Sequence, residues 1–188
     1  MHNIEPYYNW NHLYNSSEDI QSPFYGREHS EFTFTDKIYD HVIHPQWENM
    51  GSPTLFIKIL FADYETGYCI IEFIGEWNDC IENDIMTFLY EVMEPLQLEG
   101  ITKFILIGEN LLNFFSSDDE YYMEWNEANE DGWVCLVNFR QHVLDEMSES
   151  NIDHYWVWGG ELNDMEWRKN KPSGVYDAVS AVLEKRLV

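Results

Sequence analysis

Two short runs constrain the fold of this chain more than any other feature. Residues 102–108 read TKFILIG and residues 133–137 read WVCLV. Past the first two residues of the former, neither run contains a charged or strongly polar side chain, and turn residues bound both. A half-exposed strand alternates apolar with polar residues. An unbroken apolar strand is buried on both faces, as the central strands of a parallel sheet are. Such a sheet needs helices to cover it and to carry the chain between parallel neighbours.

The intervening segments supply those helices. In residues 79–96, Ile81, Ile85, Phe88, Val92 and Leu96 recur in steps of four and three, forming one apolar stripe. Asp79 with Glu82 three residues on reads as a capping box, and Pro95 and Gly100 mark the end. Residues 116–131 are acidic and helix-compatible, with Gly132 as the stop. Asn138 reads as the cap of a helix running to about Ser148, with Val143, Leu144 and Met147 inward. Ser173 reads as the cap of a last helix that turns Val175, Val179, Val182 and Leu183 to the core. Lys185 and Arg186 fall in its last turn, where the helix dipole favours cations.

Two further apolar runs, LFIKILF at 55–61 and YCIIEFIG at 68–75, flank the short ADYETG segment with Gly67. They read as an antiparallel hairpin. HYWVW at 154–158 reads as another strand. The expected fold is therefore α/β: a mixed sheet with an antiparallel N-terminal hairpin, parallel central strands and helices packed on it. Residues 1–52 are poor in aliphatics, with turns at His44-Pro45 and Gly51-Ser52-Pro53. They read as an N-terminal extension packed on a single domain of residues 53–188. Within the extension, Glu31 to Thr35 alternates polar and apolar residues, as a short half-buried strand would.

Charge narrows the partners. The chain carries 35 acidic and 10 basic residues, a net charge of -25. Between Lys58 and Arg168 the only cations are Lys103 and Arg140. Nucleic-acid backbones and anionic membranes are repelled by such a surface. A basic protein partner, or solubility alone, fits it. The start MHNIEPYYNW has Glu5 and Pro6 where a secretory signal would be apolar, and no run is long enough to cross a bilayer. A cytoplasmic location is expected. Cys69, Cys80 and Cys135 are odd in number and widely spaced, so buried free thiols are expected rather than disulfides or a zinc site.

Chemistry-bearing patterns are sparse. His41 and His44, with His2, His12 and His29 in the same extension, lack a completing Cys or carboxylate, so no metal site is expected. The acidic run from Asp118 to Asp131 lacks the alternating ligands and glycine of a calcium loop. There is no GxSxG, phosphate-binding loop or dinucleotide fingerprint, and Cys135 lies inside a buried strand. Trp156 and Trp158 read as core and covered face, not a ligand cage. Neither a cofactor nor catalysis is expected.

Between Tyr68 and Met165 the chain resembles the STAS family, the domain shared by sulphate transporters and anti-sigma-factor antagonists. Three segments carry the resemblance: IIEFIGEWN, with Gly75 and Glu76; ILIGENLLNFFSSDDEYY, with Ser116 and Ser117; and GWVCLVNFRQHVLDEMSESNI. The resemblance implies a regulatory protein-interaction module, partnered by a kinase or a sigma-factor regulator. It also implies a phosphorylatable serine at the start of the second helix, here Ser116 or Ser117. The chain departs from the pattern on both sides: Phe115 stands where the family has Asp, and Asp118 where it has Gly. A phosphate beside Asp118 and Asp119 would be repelled. A plain helix N-cap is the simpler role for either serine. Alternatively, Asp118 and Asp119 make the site permanently negative. Glu120, Glu124 and Glu127 share one helix face and, with Asp118 and Asp119, make up the expected partner surface. A different reading of the same charge is an acidic neutraliser of a basic protein, an immunity protein or nucleic-acid mimic.

Overall fold

A computed structural model describes residues 4–186. Strands β1 (Lys37–Ile38) and β2 (His41–Val42) form a small antiparallel ribbon. The main sheet contains β3 (Glu48–Asn49), β4 (Leu55–Asp63), β5 (Tyr68–Asn78), β6 (Lys103–Phe115) and β7 (Trp133–Val137), paired in that order. The expected hairpin is present: β4 and β5 are antiparallel, with Asp63 opposite Tyr68. Asp63 holds the turn, its carboxylate accepting the Glu65 and Thr66 N–H groups, and Gly67 closes it in a left-handed conformation. From β5 onward the pairing is parallel. The chain is α/β with a mixed five-stranded sheet among the described residues.

The helices are α1 (Asp84–Phe88), a π-turn at Leu89–Met93, α2 (Glu94–Leu98), α3 (Glu120–Ala128), α4 (Gln141–Glu149) and α5 (Pro172–Arg186). On one side of the sheet Leu55, Ile57, Cys69, Ile71, Phe104 and Leu106 pack with α1, α2, α3 and α4. On the other, Ile70, Ile105 and Val137 pack with α5, Trp10 and Trp167, and Phe56 and Ile74 pack with Ile38, Ile43 and Trp47 of the N-terminal segment. The sheet is thus covered on both sides, as its apolar strands require.

Several elements differ from expectation, each for a local reason. The first long helix starts at Asp84, not Asp79. Asn83 before it is left-handed, so the 79–82 segment is a turn and Ile81 is 79% exposed. Pro95 does not end the helix. The Glu94 N–H reaches five residues back to the Leu89 carbonyl, and this wide turn accommodates a ring that a regular α-turn would push into the carbonyl four residues before. Asn138 does not cap α4 but is itself left-handed. Ser173 lies inside α5, whose first residue is Pro172, a natural first position because its missing N–H would be unpaired there anyway. The expected strand at 154–158 reduces to a single parallel bridge between Val157 and Cys135, preceded by a 3₁₀ turn at Asp153–Tyr155. Glu31 to Thr35 is not a strand. The Ser30 hydroxyl accepts the N–H groups of Phe32 and Thr33 and bends the chain, leaving Phe32 87% exposed.

Candidate functional site

In parallel sheets, ligands and partners meet the carboxyl ends of the strands, where loops of free design converge. Here β5 ends at Asn78 and β6 at Phe115, side by side. The Asp79 N–H donates to the Phe115 carbonyl, and the Cys80 thiol donates to the Ser116 carbonyl. Cys80 is therefore an exposed thiol, unlike buried Cys69 and Cys135, and the expectation of three buried thiols is corrected. Burial raises the Cys135 thiol to about 12, which keeps it protonated and unreactive.

The expected serines sit on this junction but not at a helix start. The α3 helix begins four residues after Ser116. Ser116 is half-buried, its hydroxyl paired with that of Ser150 at the end of α4, whereas Ser117 is exposed. Neither bonds an N–H of the first turn of α3, so the N-cap role is not realised. Asp118, Asp119, Glu120, Glu124 and Glu127 are all exposed. Asp119 occupies the N-cap position without a capping bond; its carboxylate accepts the Tyr155 hydroxyl instead. Tyr90, from the π-turn, donates its hydroxyl to Glu124. Exposed Ile81, Phe115 and Met123 stand among these acids.

Beneath this surface lie two buried carboxyl groups. Asp79 accepts from Trp77 Nε1, the Tyr122 hydroxyl at 2.6 Å and the Ile85 N–H. Asp84 accepts the Asn78 N–H. Burial raises both, Asp84 to about 6, with the charge of Asp79 adding to the effect on Asp84. Together they close the open ends of β5 and α1. This is structural work: each oxygen that is engaged accepts a donor of the fold.

A second polar constellation escaped the sequence reading. On the face covered by the N-terminal segment, a row of polar side chains crosses the sheet between two apolar clusters: Glu48 on β3, Lys58 on β4, Glu72 opposite it on β5 and Asn110 on β6. Glu48 is buried and binds His29 Nε2 at 2.8 Å, with Lys58 Nζ at 3.7 Å and Arg27 at 3.7 Å. Glu72 is also buried. It accepts the Tyr7 N–H at 2.9 Å and Asn110 Nδ2 at 3.2 Å, and lies 3.4 Å from Arg168. Burial outweighs these partners and raises it to about 7. Arg168 also pairs with Glu109, which accepts Asn138 Nδ2 and Trp167 Nε1. Asn138, Arg168 and Trp167 together hold Glu109 below its ordinary range despite partial burial. Read singly, LFIKILF and YCIIEFIG each carry one ion inside an apolar run. That paired interruption was the available signal.

The row ties the first and last parts of the chain to the sheet and is sealed by them. Of the histidines expected not to form a metal site, His29 pairs with Glu48 and His44 with Glu5, while His2 lies outside the described residues. Among the described residues, no group of three or more His, Cys, Asp or Glu side chains is placed to hold a metal ion, and no helix is long and apolar enough to cross a membrane. Fold and surface together define an acidic α/β domain with a mixed sheet covered on both sides. The chain matches no protein-family model and no curated protein.

Proposed function

We propose that the protein is a non-catalytic regulatory module, STAS-like in kind, that binds a basic protein partner through the face at the carboxyl ends of β5 and β6. One observation carries the reading. Exposed Ile81, Phe115 and Met123 lie at the β5–β6 ends and on α3, set among Asp118, Asp119, Glu120 and Glu127. Apolar groups rimmed by one sign of charge suit a partner with an apolar centre and cationic rim. The STAS-like part rests on the order of elements: hairpin, then parallel strands each followed by a helix. Exposed Ser117, not Ser116, is the serine a kinase reaches. Asp118 and Asp119 give the face a permanent negative charge without modification. The cytoplasm suits such a role.

The test is affinity capture from native lysate at low and high salt, with mass spectrometry for the captured proteins and for phosphate on Ser117. Wild type is compared with the double variant Ile81→Arg, Phe115→Arg. The reading expects a kinase, sigma-factor regulator or other regulatory protein that survives high salt and is lost with the double variant. Capture of a basic protein only at low salt, unaffected by the two substitutions, favours an acidic neutraliser, because purely ionic contacts weaken with ionic strength. If the double variant captures the same regulatory partner as wild type, the proposed face is wrong.

A further inference from the structure

Away from that face, residues of the 27–36 loop and of the 45–49 segment line a cavity of about 350 Å³. That is within the range of small-molecule sites. The Ser30 hydroxyl bends the loop by accepting the Phe32 and Thr33 N–H groups, which brings Thr35 and Asp36 back to the cavity that Arg27 and His29 also line. Glu48 of β3 lies behind them, fully buried.

The His29 ring is held in one orientation. Its Nε2 stands 2.8 Å from Glu48 Oε1, the oxygen that also accepts the Ser16 hydroxyl. A carboxylate oxygen accepts, so Nε2 carries the hydrogen and Nδ1 keeps its lone pair. Nδ1 bonds no described residue and is not sealed from solvent. The side chain is 14% exposed, and it is part of the cavity lining. A fixed acceptor is therefore presented to the open space.

The remaining groups select a ligand class. The carboxylates of Glu28 and Asp36 also accept. Donors come from Arg27, one of whose nitrogens is spent on the Asn49 carbonyl, and from the Asn49 amide, whose oxygen is taken by the Gly51 N–H. A ligand that fits must donate at some points and accept at neighbouring ones, and hydroxyl groups do both. An amine would meet the charge of Arg27, and an anion the field of a chain with a net charge of -25. Half-buried Pro45 offers an apolar surface to the C–H face of a ring. We propose that this cavity binds a neutral cyclic sugar, one of whose hydroxyls donates to His29 Nδ1.

The probes are the methyl glycosides of glucose, galactose and mannose, with glucosamine and glucuronate as charged counterparts. Long-range ¹H–¹⁵N spectra of the full chain follow His29 Nδ1 during each titration. At least one neutral glycoside is expected to move that signal and saturate, with a dissociation constant on the order of 1 mM for a ligand of this size. Glucosamine and glucuronate are expected to bind about tenfold more weakly, the effect of one unfavourable charge contact near a protein surface. Arg27→Gln removes the local cation and is expected to bring glucosamine level with the neutral glycoside. Thr35→Trp, a change at an exposed position of the lining, is expected to block every probe. An Nδ1 signal that none of the three neutral glycosides moves, charged sugars that bind as tightly as neutral ones, glucosamine still the weaker ligand in Arg27→Gln, or binding that survives Thr35→Trp would each overturn the proposal. Failure here leaves the protein-binding face untouched, since the two regions share none of the residues varied in either test.

Discussion

Glu72 sits in the middle of a sheet at zero exposure, and its titration sets how the molecule answers to pH. Its carboxyl shifts from an ordinary 4.5 to about 7 because burial disfavours the charged form. Asp79 and Asp84 shift the same way. Over the window between 4.5 and 7 the folded chain holds a proton on Glu72 that the unfolded chain has released. Stability from this group is therefore complete below the window, is lost as pH rises through it, and is level above. Glu109, held low, works in the opposite sense and only at lower pH. Denaturant midpoints measured from pH 4.5 to 7 are expected to fall with rising pH in the wild type. Glu72→Gln is expected to flatten that slope by up to about 1.4 kcal/mol per pH unit, one proton's worth. A wild-type midpoint that climbs across this range, or an unchanged slope in the variant, would contradict the assignment. The sequence shows Glu72 only as one ion inside an apolar run, opposite Lys58 in the neighbouring one. Glu72 lies at an inward position of an apolar strand, and only the fold shows that Tyr7 and Arg168 come to meet it.

The elements were legible where one local signal decided them and obscure where two competed. The bounds of β7 follow from five apolar residues between Gly132 and Asn138. The hairpin follows from two apolar runs and one glycine turn. Strand β6 runs on past Gly108 to Phe115, through a polar ENLLN segment that no strand rule selects. It does so because β5 beside it continues to Asn78 and offers a ladder, met through two bulges. Asp79 does accept an N–H of the first turn of α1, that of Ile85, but from five residues before the helix, and its other bonds go to Trp77 and Tyr122, partners that sequence spacing cannot show. Glycines test the packing of these elements directly. A Cβ on Gly132 would fall 1.8 Å from the Thr102 carbonyl oxygen, which already accepts the Trp133 N–H and Asn129 Nδ2. Gly132→Ala is expected to cost about 2 kcal/mol or more, because backbone that binds two donors must move. In α5 a Cβ on Gly174 meets Asn170 at an ordinary 3.5 Å. Gly174→Ala is expected to stabilise by up to ~1 kcal/mol through helix propensity. Urea unfolding at constant slope separates the two, and a neutral Gly132→Ala would show that the β6–β7 start is looser than drawn.

At the scale of the whole molecule, a net charge of -25 makes the folded state repel itself. Added salt screens that repulsion within about 10 Å at 0.1 M. Raising sodium chloride from about 0.05 to about 0.5 M is therefore expected to raise the melting temperature, the reverse of a protein held by surface ion pairs. Calorimetry checks it; a melting temperature that falls with salt would assign more to pairs such as Arg168–Glu109 than the overall repulsion takes away. The acidity, the α/β class and the acidic helix were all legible from composition and pattern. The polar row was not, because it is assembled from segments far apart in the chain. That distance has a further consequence. The Tyr7 hydroxyl bonds the Arg168 carbonyl, 161 residues along, and Trp10 packs edge-on to Trp167. A ribosome makes Tyr7 and Trp10 early and Trp167 and Arg168 late. The opening segment must therefore wait, its aromatic rings without their partners, while the sheet forms behind it. In the order of synthesis, Tyr7 and Trp10 emerge long before the residues that hold them.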